Sequence, residues 1–210
     1  MGPAAATAGA ERLIAAGAGA LVSWGLAGGL DPELAAGTIF LPSEVATAEG
    51  VLLATDARWR ERLGTTLTRF APLTSGRLVT VAAVVATPAA KAALFNTSGA
   101  RAVDMESAAI AEVARRRALP FIAVRVIIDR AGDAMPDSFV AAFDANGDFS
   151  LWRLLAQLLR SPGELGSVMR LAGIFHQANR ALAAVAASDA LARPQRAQAA
   201  TDASRTAGAT

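Results

Sequence analysis

The chain alternates short apolar runs with stretches of helical spacing. The clearest run is Phe121 to Ile128, β-branched and interrupted only by Arg125, which is how a strand covered on both faces reads. Before it, Ile110, Val113, Ala114 and Arg117 follow helical spacing. The Arg115-Arg116-Arg117 run falls in the last turn, where cations suit the helix dipole. Together with a strand ending at Val103-Asp104, the stretch Val103 to Asp129 predicts strand, helix, strand, a βαβ crossover. Such a crossover puts both strand exits, Asp104-Met105-Glu106 and Asp129, on the carboxyl edge of the sheet, where open α/β sheets bind ligands.

The remaining pattern supplies the other layers. Residues 6 to 16 read as a helix, and Ala20 to Trp24 as a short buried strand. That strand runs into a glycine-rich loop, Gly25-Leu26-Ala27-Gly28-Gly29-Leu30, and a turn at Asp31-Pro32-Glu33. Gly37 to Leu41 predicts a second strand, and Val45 to Leu53 a further one. Thr55-Asp56 caps a helix from Ala57 to about Leu67. Arg77 to Val85 reads as a strand, and Thr87-Pro88 opens a helix to about Asn96, with proline at its first position. After Asp129 the chain is irregular through Pro136, Asn146 and Gly147, as suits a loop beside a site. Leu151 to Arg160 predicts a helix. Ser161-Pro162-Gly163-Glu164 is a capping box that opens another, running to about Ala187. The expectation is a single α/β domain over residues 1–187, a mixed central sheet flanked by helices, followed by a disordered tail over 188–210.

Composition narrows the chemistry. With no cysteine there is neither a disulfide framework nor thiol chemistry, which fits a reducing compartment and a cytoplasmic location. His176 is the only histidine, and no cluster has metal-ligand spacing, so no metal is expected. The net charge of +2 gives no basic footprint for nucleic acid. Nearly every cation is an arginine; Lys91 is the sole lysine. No apolar run reaches the length of a membrane span, and the alanine- and glycine-rich start lacks the basic region of a signal peptide.

Several motifs occur in a telling order. Val103-Asp104-Met105-Glu106-Ser107-Ala108-Ala109, a helix, Leu119-Pro120-Phe121, and then Val124-Arg125-Val126-Ile127-Ile128-Asp129 resemble the signature of the purine nucleoside phosphorylase and methylthioadenosine/S-adenosylhomocysteine nucleosidase superfamily. Gly25 to Leu41 resembles its glycine-rich loop, turn and following strand. Within the superfamily, Gly25 to Pro32, Ala54-Thr55-Asp56 and Arg160 to Leu165 are most similar to the hopanoid-biosynthesis-associated phosphorylases. The likeness covers roughly residues 10 to 175. It implies a nucleoside phosphorylase-like fold and release of adenine from a 5′-substituted adenosine, adenosylhopane by resemblance. A methylthioadenosine/S-adenosylhomocysteine nucleosidase is the alternative enzyme. An inactive module that still binds nucleosides is the alternative outside enzymes. The resemblance further implies a small-molecule nucleoside ligand, a homo-oligomer and no cofactor, with phosphate as a co-substrate if the nucleophile is not water. Relatives carry strands ahead of the helix that begins near Ala6 here, so the chain reads as truncated at its N-terminus. It also departs from the pattern at Ile128, where nucleosidases carry serine, and at Ser23-Trp24, where phosphorylases carry arginine. Thr80 to Val85 replaces a polar segment.

Breaking an N-glycosidic bond requires an acid near the purine, negative charge near an oxocarbenium-like sugar, and a nucleophile. By resemblance, Asp129 is the catalytic acid, and burial would raise its pKa. Glu106, an acceptor only when ionised, can hold two vicinal ribose hydroxyls. Met105 supplies an apolar floor under the sugar. Asp104, Leu26, Ala27 and Gly28 complete the expected substrate site. Each residue also has a plainer reading: Glu106 complements a helix dipole, Asp104 caps that helix, Asp129 begins a turn, and Arg125 is a paired structural residue. The two C-terminal helices have apolar faces set against arginines, with Glu164 the only acid between Leu151 and Ala187. That pattern suits packing on the domain, or alternatively a peripheral contact with an anionic membrane.

Overall fold

The computed structural model describes residues 2–141 and a few isolated positions beyond them. In chain order the elements are α1 (Pro3–Ala15), β1 (Leu21–Gly29), β2 (Ile39–Phe40), β3 (Glu44–Ala46), β4 (Leu52–Ala54), α2 (Ala57–Leu67), β5 (Leu73–Thr74), β6 (Arg77–Thr80), α3 (Pro88–Ser98), β7 (Ala102–Asp104), α4 (Ser107–Arg116), β8 (Phe121–Asp129) and the single turn α5 (Asp137–Val140). The strands form one mixed sheet in the order β4-β3-β6-β7-β1-β8-β2-β5. The helices expected at 151–160 and 161–187, and the tail from 188, lie outside the described residues.

Period-two alternation assigns the two faces. Phe121, Ala123 and Ile127 of β8 join Leu78 and Ala102 beneath α1 and α4, where Ala10, Ala108, Ala111 and Ala114 complete the cluster. Ile122, Val124 and Val126 point the other way, onto Trp59, Leu63 and Leu67 of α2. Val79 and Val103, also on that second face, meet Leu94 and Phe95 of α3. The helix boundaries follow the local chemistry. Asp56 caps α2, its carboxylate accepting from the Trp59 N–H at 2.8 Å, and Thr87 caps α3 just ahead of Pro88. Proline also begins α1, three residues earlier than the spacing predicts. At the end of α4, Ala118 N donates to Arg115 O and Leu119 N to Ala114 O, a Schellman pair with Ala118 at φ 52 where glycine is usual.

The structure corrects four expectations. First, the glycine-rich segment is strand rather than loop: β1 continues through Gly29, paired with β8 on one side and β7 on the other. Glycine here answers close packing between neighbouring strands, not a turn. A Cβ on Gly29 would stand 2.8 Å from the Asp129 backbone oxygen. Second, the unit from β7 to β8 is not a parallel crossover. β8 runs parallel to β1 while β7 runs antiparallel to it, so β7 and β8 oppose each other across β1, and their exits do not share one carboxyl edge of the sheet as a crossover would require. Third, Val45 to Leu53 holds two strands in a hairpin, because Gly50 at φ 84 lets the chain reverse between β3 and β4. Fourth, β6 ends at Thr80, five residues short of Val85, where the Thr80 hydroxyl turns to partners beyond the strand.

Candidate active site

The site is built around Gly28. Its register partners are Val103 on β7 and Asp129 on β8, so β8 ends and β7 passes beside one residue of β1. Two strand spacings separate them, about 10 Å, the scale of a nucleoside. Asp129 arrives there through a bulge. Ala27 pairs with Ile127, but the next residue, Gly28, pairs with Asp129, leaving Ile128 as the extra residue. In a regular strand Asp129 would share the face of Ile127. The bulge turns its carboxylate instead to the face of Gly28 and Val103. A Cβ on Gly28 would lie 3.1 Å from Asp129 Oδ1 and 3.3 Å from Val103 Cγ1, so glycine is what this approach allows.

Asp129 is buried, and its two oxygens have different surroundings. Oδ2 accepts from the ammonium of Lys91, which is itself wholly buried in α3. Oδ1 has no hydrogen-bond partner. Burial pushes the carboxyl above its usual range. The Lys91 hydrogen bond and charge oppose that rise, the nearby Asp133 adds to it, and the Gly29 N–H opposes it without making a full bond to Oδ1. Sequence reasoning missed Lys91 at this site. The available signal was compositional: one lysine in a chain that otherwise uses arginine.

A second network stands beneath the Met105-Glu106 turn. The Arg125 guanidinium points to the α4 face and donates to Asp104 Oδ2 through Nε at 2.8 Å. Its Nη2 lies 2.7 Å from the same oxygen and donates to the Ser23 and Ser107 hydroxyls at 2.6 and 2.7 Å. Asp104 Oδ1 accepts from Thr80 Oγ1 at 2.7 Å, and that hydroxyl in turn accepts from the Ala108 N–H at 3.0 Å. The Ser107 N–H points at the Asp104 carboxylate, 3.2 Å from Oδ2. Asp104 therefore holds the start of α4, and Arg125 is its buried partner. A charge pair at 3% and 1% side-chain exposure persists only with such full satisfaction of its donors and acceptors.

Met105 and Glu106 leave this anchored strand half-buried. Glu106 occupies the N-cap position of α4 without making a side-chain capping bond, so its carboxylate is not used on the helix. Burial, and then the neighbouring Asp104 carboxylate, raise its pKa; Arg125 opposes them. Of the other predicted site residues, Ala27 is packed in the core beneath α1 and α4, and Leu26 is half-buried against the α2 cluster. Gly28 is the residue of that trio paired in register with Asp129. A separate open groove of about 480 Å³, lined by Leu41, Arg60, Glu61, Gly64 and Leu73 among others, contains none of the candidate residues. Among the described residues, no group of three histidine, cysteine or carboxylate side chains is placed to hold a metal.

A mixed sheet covered on both faces, with two buried carboxylates beside the end of its central strand, defines an α/β fold with a candidate site at a strand end. The chain belongs to the phosphorylase superfamily, whose sequence model matches residues 1–159. Among solved structures it is similar to a putative methylthioadenosine nucleosidase from Weissella paramesenteroides, with 26% identity and a TM-score of 0.60 over 65% of this chain and 69% of that one. A Helicobacter pylori nucleosidase mutant with 5′-methylthioadenosine in its active site shares the fold at 16% identity and a TM-score of 0.63, over 89% of this chain and 76% of that one. The futalosine hydrolase of Helicobacter pylori does so at 19% identity and a TM-score of 0.58, over 63% of this chain and 65% of that one. The chain thus spans about two thirds of the length of the first and last of these. Among curated proteins there is no significant match.

Proposed function

We propose that this protein cleaves the N-glycosidic bond of an adenosine with a hydrophobic 5′ substituent and releases adenine. The observation that carries the reading is the unpartnered Asp129 Oδ1 beside Gly28, with the Met105-Glu106 turn anchored across β1. In this reading the bond from the anomeric carbon to N9 breaks and its electron pair goes to the base. Protonated Asp129 gives its proton to N7, so adenine leaves neutral. Glu106 accepts from the two ribose hydroxyls, and its charge favours the cationic sugar in the transition state. Met105 lies under the sugar, and the strand from Leu26 through Gly28 brings backbone to the base. Asp104 acts from below by holding the turn. Water, losing a proton to solvent, or phosphate then bonds to the anomeric carbon, giving a free or phosphorylated ribosyl product, and no cofactor is required.

Adenosylhopane is the 5′-substituted adenosine suggested by the likeness of residues 25–32, 54–56 and 160–165 to hopanoid-associated phosphorylases. The similarity to the Weissella protein, whose name gives methylthioadenosine, favours methylthioadenosine/S-adenosylhomocysteine nucleosidase as the second reading. The deciding experiment measures adenine release from methylthioadenosine and from an adenosine bearing a 5′ polycyclic hydrocarbon, each with and without phosphate. Preference for the second substrate supports the proposal, and preference for methylthioadenosine supports the alternative. No release from either leaves a nucleoside-binding module and refutes the enzymatic reading. We also propose a homo-oligomer in the cytoplasm, and a peripheral contact of residues 151–187 with anionic membranes. Sedimentation, alone and with anionic liposomes at low and high salt, tests both.

A further inference from the structure

Lys91 touches the Asp129 carboxylate directly, and the proposed chemistry gives it no part. Its ammonium donates to Asp129 Oδ2, to Arg130 O at 2.8 Å and to Asp133 O at 2.8 Å. An ammonium has three donors and no acceptor, so this set is complete. Every other cation of the chain outside the lone histidine is a guanidinium. A planar fork with five donors would leave some of them unpaired in a fully enclosed position, whereas a compact ammonium matches three oxygens. The turn that Lys91 holds is also closed on itself. Asp133 N donates to Arg130 O at 3.1 Å, and Arg130 N donates to Asp133 Oδ2 at 3.1 Å. Met135 N ties the following residues to Ala86 O at 2.9 Å, just ahead of α3.

We propose that Lys91 is a positioning residue for glycosidic cleavage: it occupies Asp129 Oδ2 and staples the 130–133 turn, leaving Oδ1 as the one carboxylate atom offered to the base. The proposal rests on the reading of Asp129 as the group that faces the purine. It has two consequences. The carboxylate cannot rotate, because one oxygen is tied to a cation that is itself tied to two backbone carbonyls. The cation also holds down the protonation of a carboxyl that burial would otherwise keep neutral over a wider pH range. Removing the positive charge leaves burial unopposed, so Asp129 titrates at higher pH.

The experiment compares wild type with Lys91→Met and Lys91→Gln; where the methionine variant fails to fold, glutamine keeps two N–H donors without the charge. The carbon-13 resonance of the Asp129 carboxyl, assigned by its loss in Asp129→Asn, is titrated by NMR, and kcat and KM are measured across pH. The midpoint should move up by at least about one pH unit, and the alkaline limb of kcat/KM should move with it. At neutral pH kcat should fall more than about tenfold, with KM changing far less, as expected for a group that orients the acid. A folded variant whose Asp129 titrates as in wild type overturns the proposal, as does a uniform loss of activity with an unmoved limb. If the wild type turns over no nucleoside, the proposed function fails, while the NMR midpoint still judges whether Lys91 controls Asp129.

Discussion

Arg125→Met is the perturbation whose size follows most directly from the structure. Methionine replaces the aliphatic stem and removes the guanidinium with its charge and donors. It leaves the Asp104 carboxylate buried, with Oδ2 stripped of both guanidinium contacts, and it leaves Ser23 and Ser107 without their charged donor. Breaking a buried pair by removing one partner costs about 3–5 kcal/mol. Domains of this size are stable by about 5–15 kcal/mol, so the variant should fold but lose a large share of its margin. With a urea slope of about 2 kcal/mol/M, a loss near 4 kcal/mol moves the unfolding midpoint down by roughly 2 M. Adding Asp104→Asn should recover part of that loss, because the orphaned charge is gone; the two single losses would then sum to more than the loss in the double variant. The strand that Asp104 ends leads directly into Met105-Glu106, so KM for nucleosides should rise in the single variant as well. A single-variant loss under about 1 kcal/mol, or strictly additive losses, would show that the network does not couple these residues as argued.

The remaining predictions concern the site and one helix end. Asp129→Asn should lower adenine release by about 10²–10⁴-fold while nucleoside affinity stays within about tenfold; unchanged turnover would remove Asp129 from the mechanism. Glu106→Gln should weaken ribosides far more than free adenine in calorimetric titrations, and equal weakening would make Glu106 a structural group. The same variant tests the raised pKa of Glu106. A folded pKa above the unfolded one contributes stability that is complete below the unfolded value and is lost as pH rises through the folded value. Glu106→Gln should therefore compare more favourably with wild type at about pH 8 than at about pH 4, and an equal gap at both would contradict the shift. Ala118→Gly should stabilise the chain by about 1 kcal/mol in thermal or urea unfolding, since alanine there holds a left-handed conformation. A loss of stability would show that the Ala118 methyl contributes packing that outweighs the strain.

Local chemistry determined much of this protein directly from its sequence. Phe121 to Ile128 reads as a strand buried on both faces because its run is short, β-branched and apolar, and Asp56, Thr87 and Pro88 start their helices because a short side-chain oxygen or a fixed φ favours a helix start. The order of Met105-Glu106 and Asp129 carries the resemblance on which the proposed nucleoside site rests. Tertiary structure alone decided the rest. The segment Gly25 to Gly29 reads as a loop because glycine breaks strands locally. It is the end of the central strand because β8 and β7 supply its hydrogen bonds and need the space a side chain would fill. The direction of β7 depends on its pairing with β1, which no local pattern encodes. The bulge at Ile128 turns Asp129 to the face of Gly28, whereas period-two counting assigns it to the opposite face. The partnership of Asp129 with Lys91 joins residues 38 positions apart, and that of Arg125 with Ser23 joins residues 102 apart. Such pairs exist only once the sheet has closed, because burial is what makes an unpaired charge costly enough to require a partner.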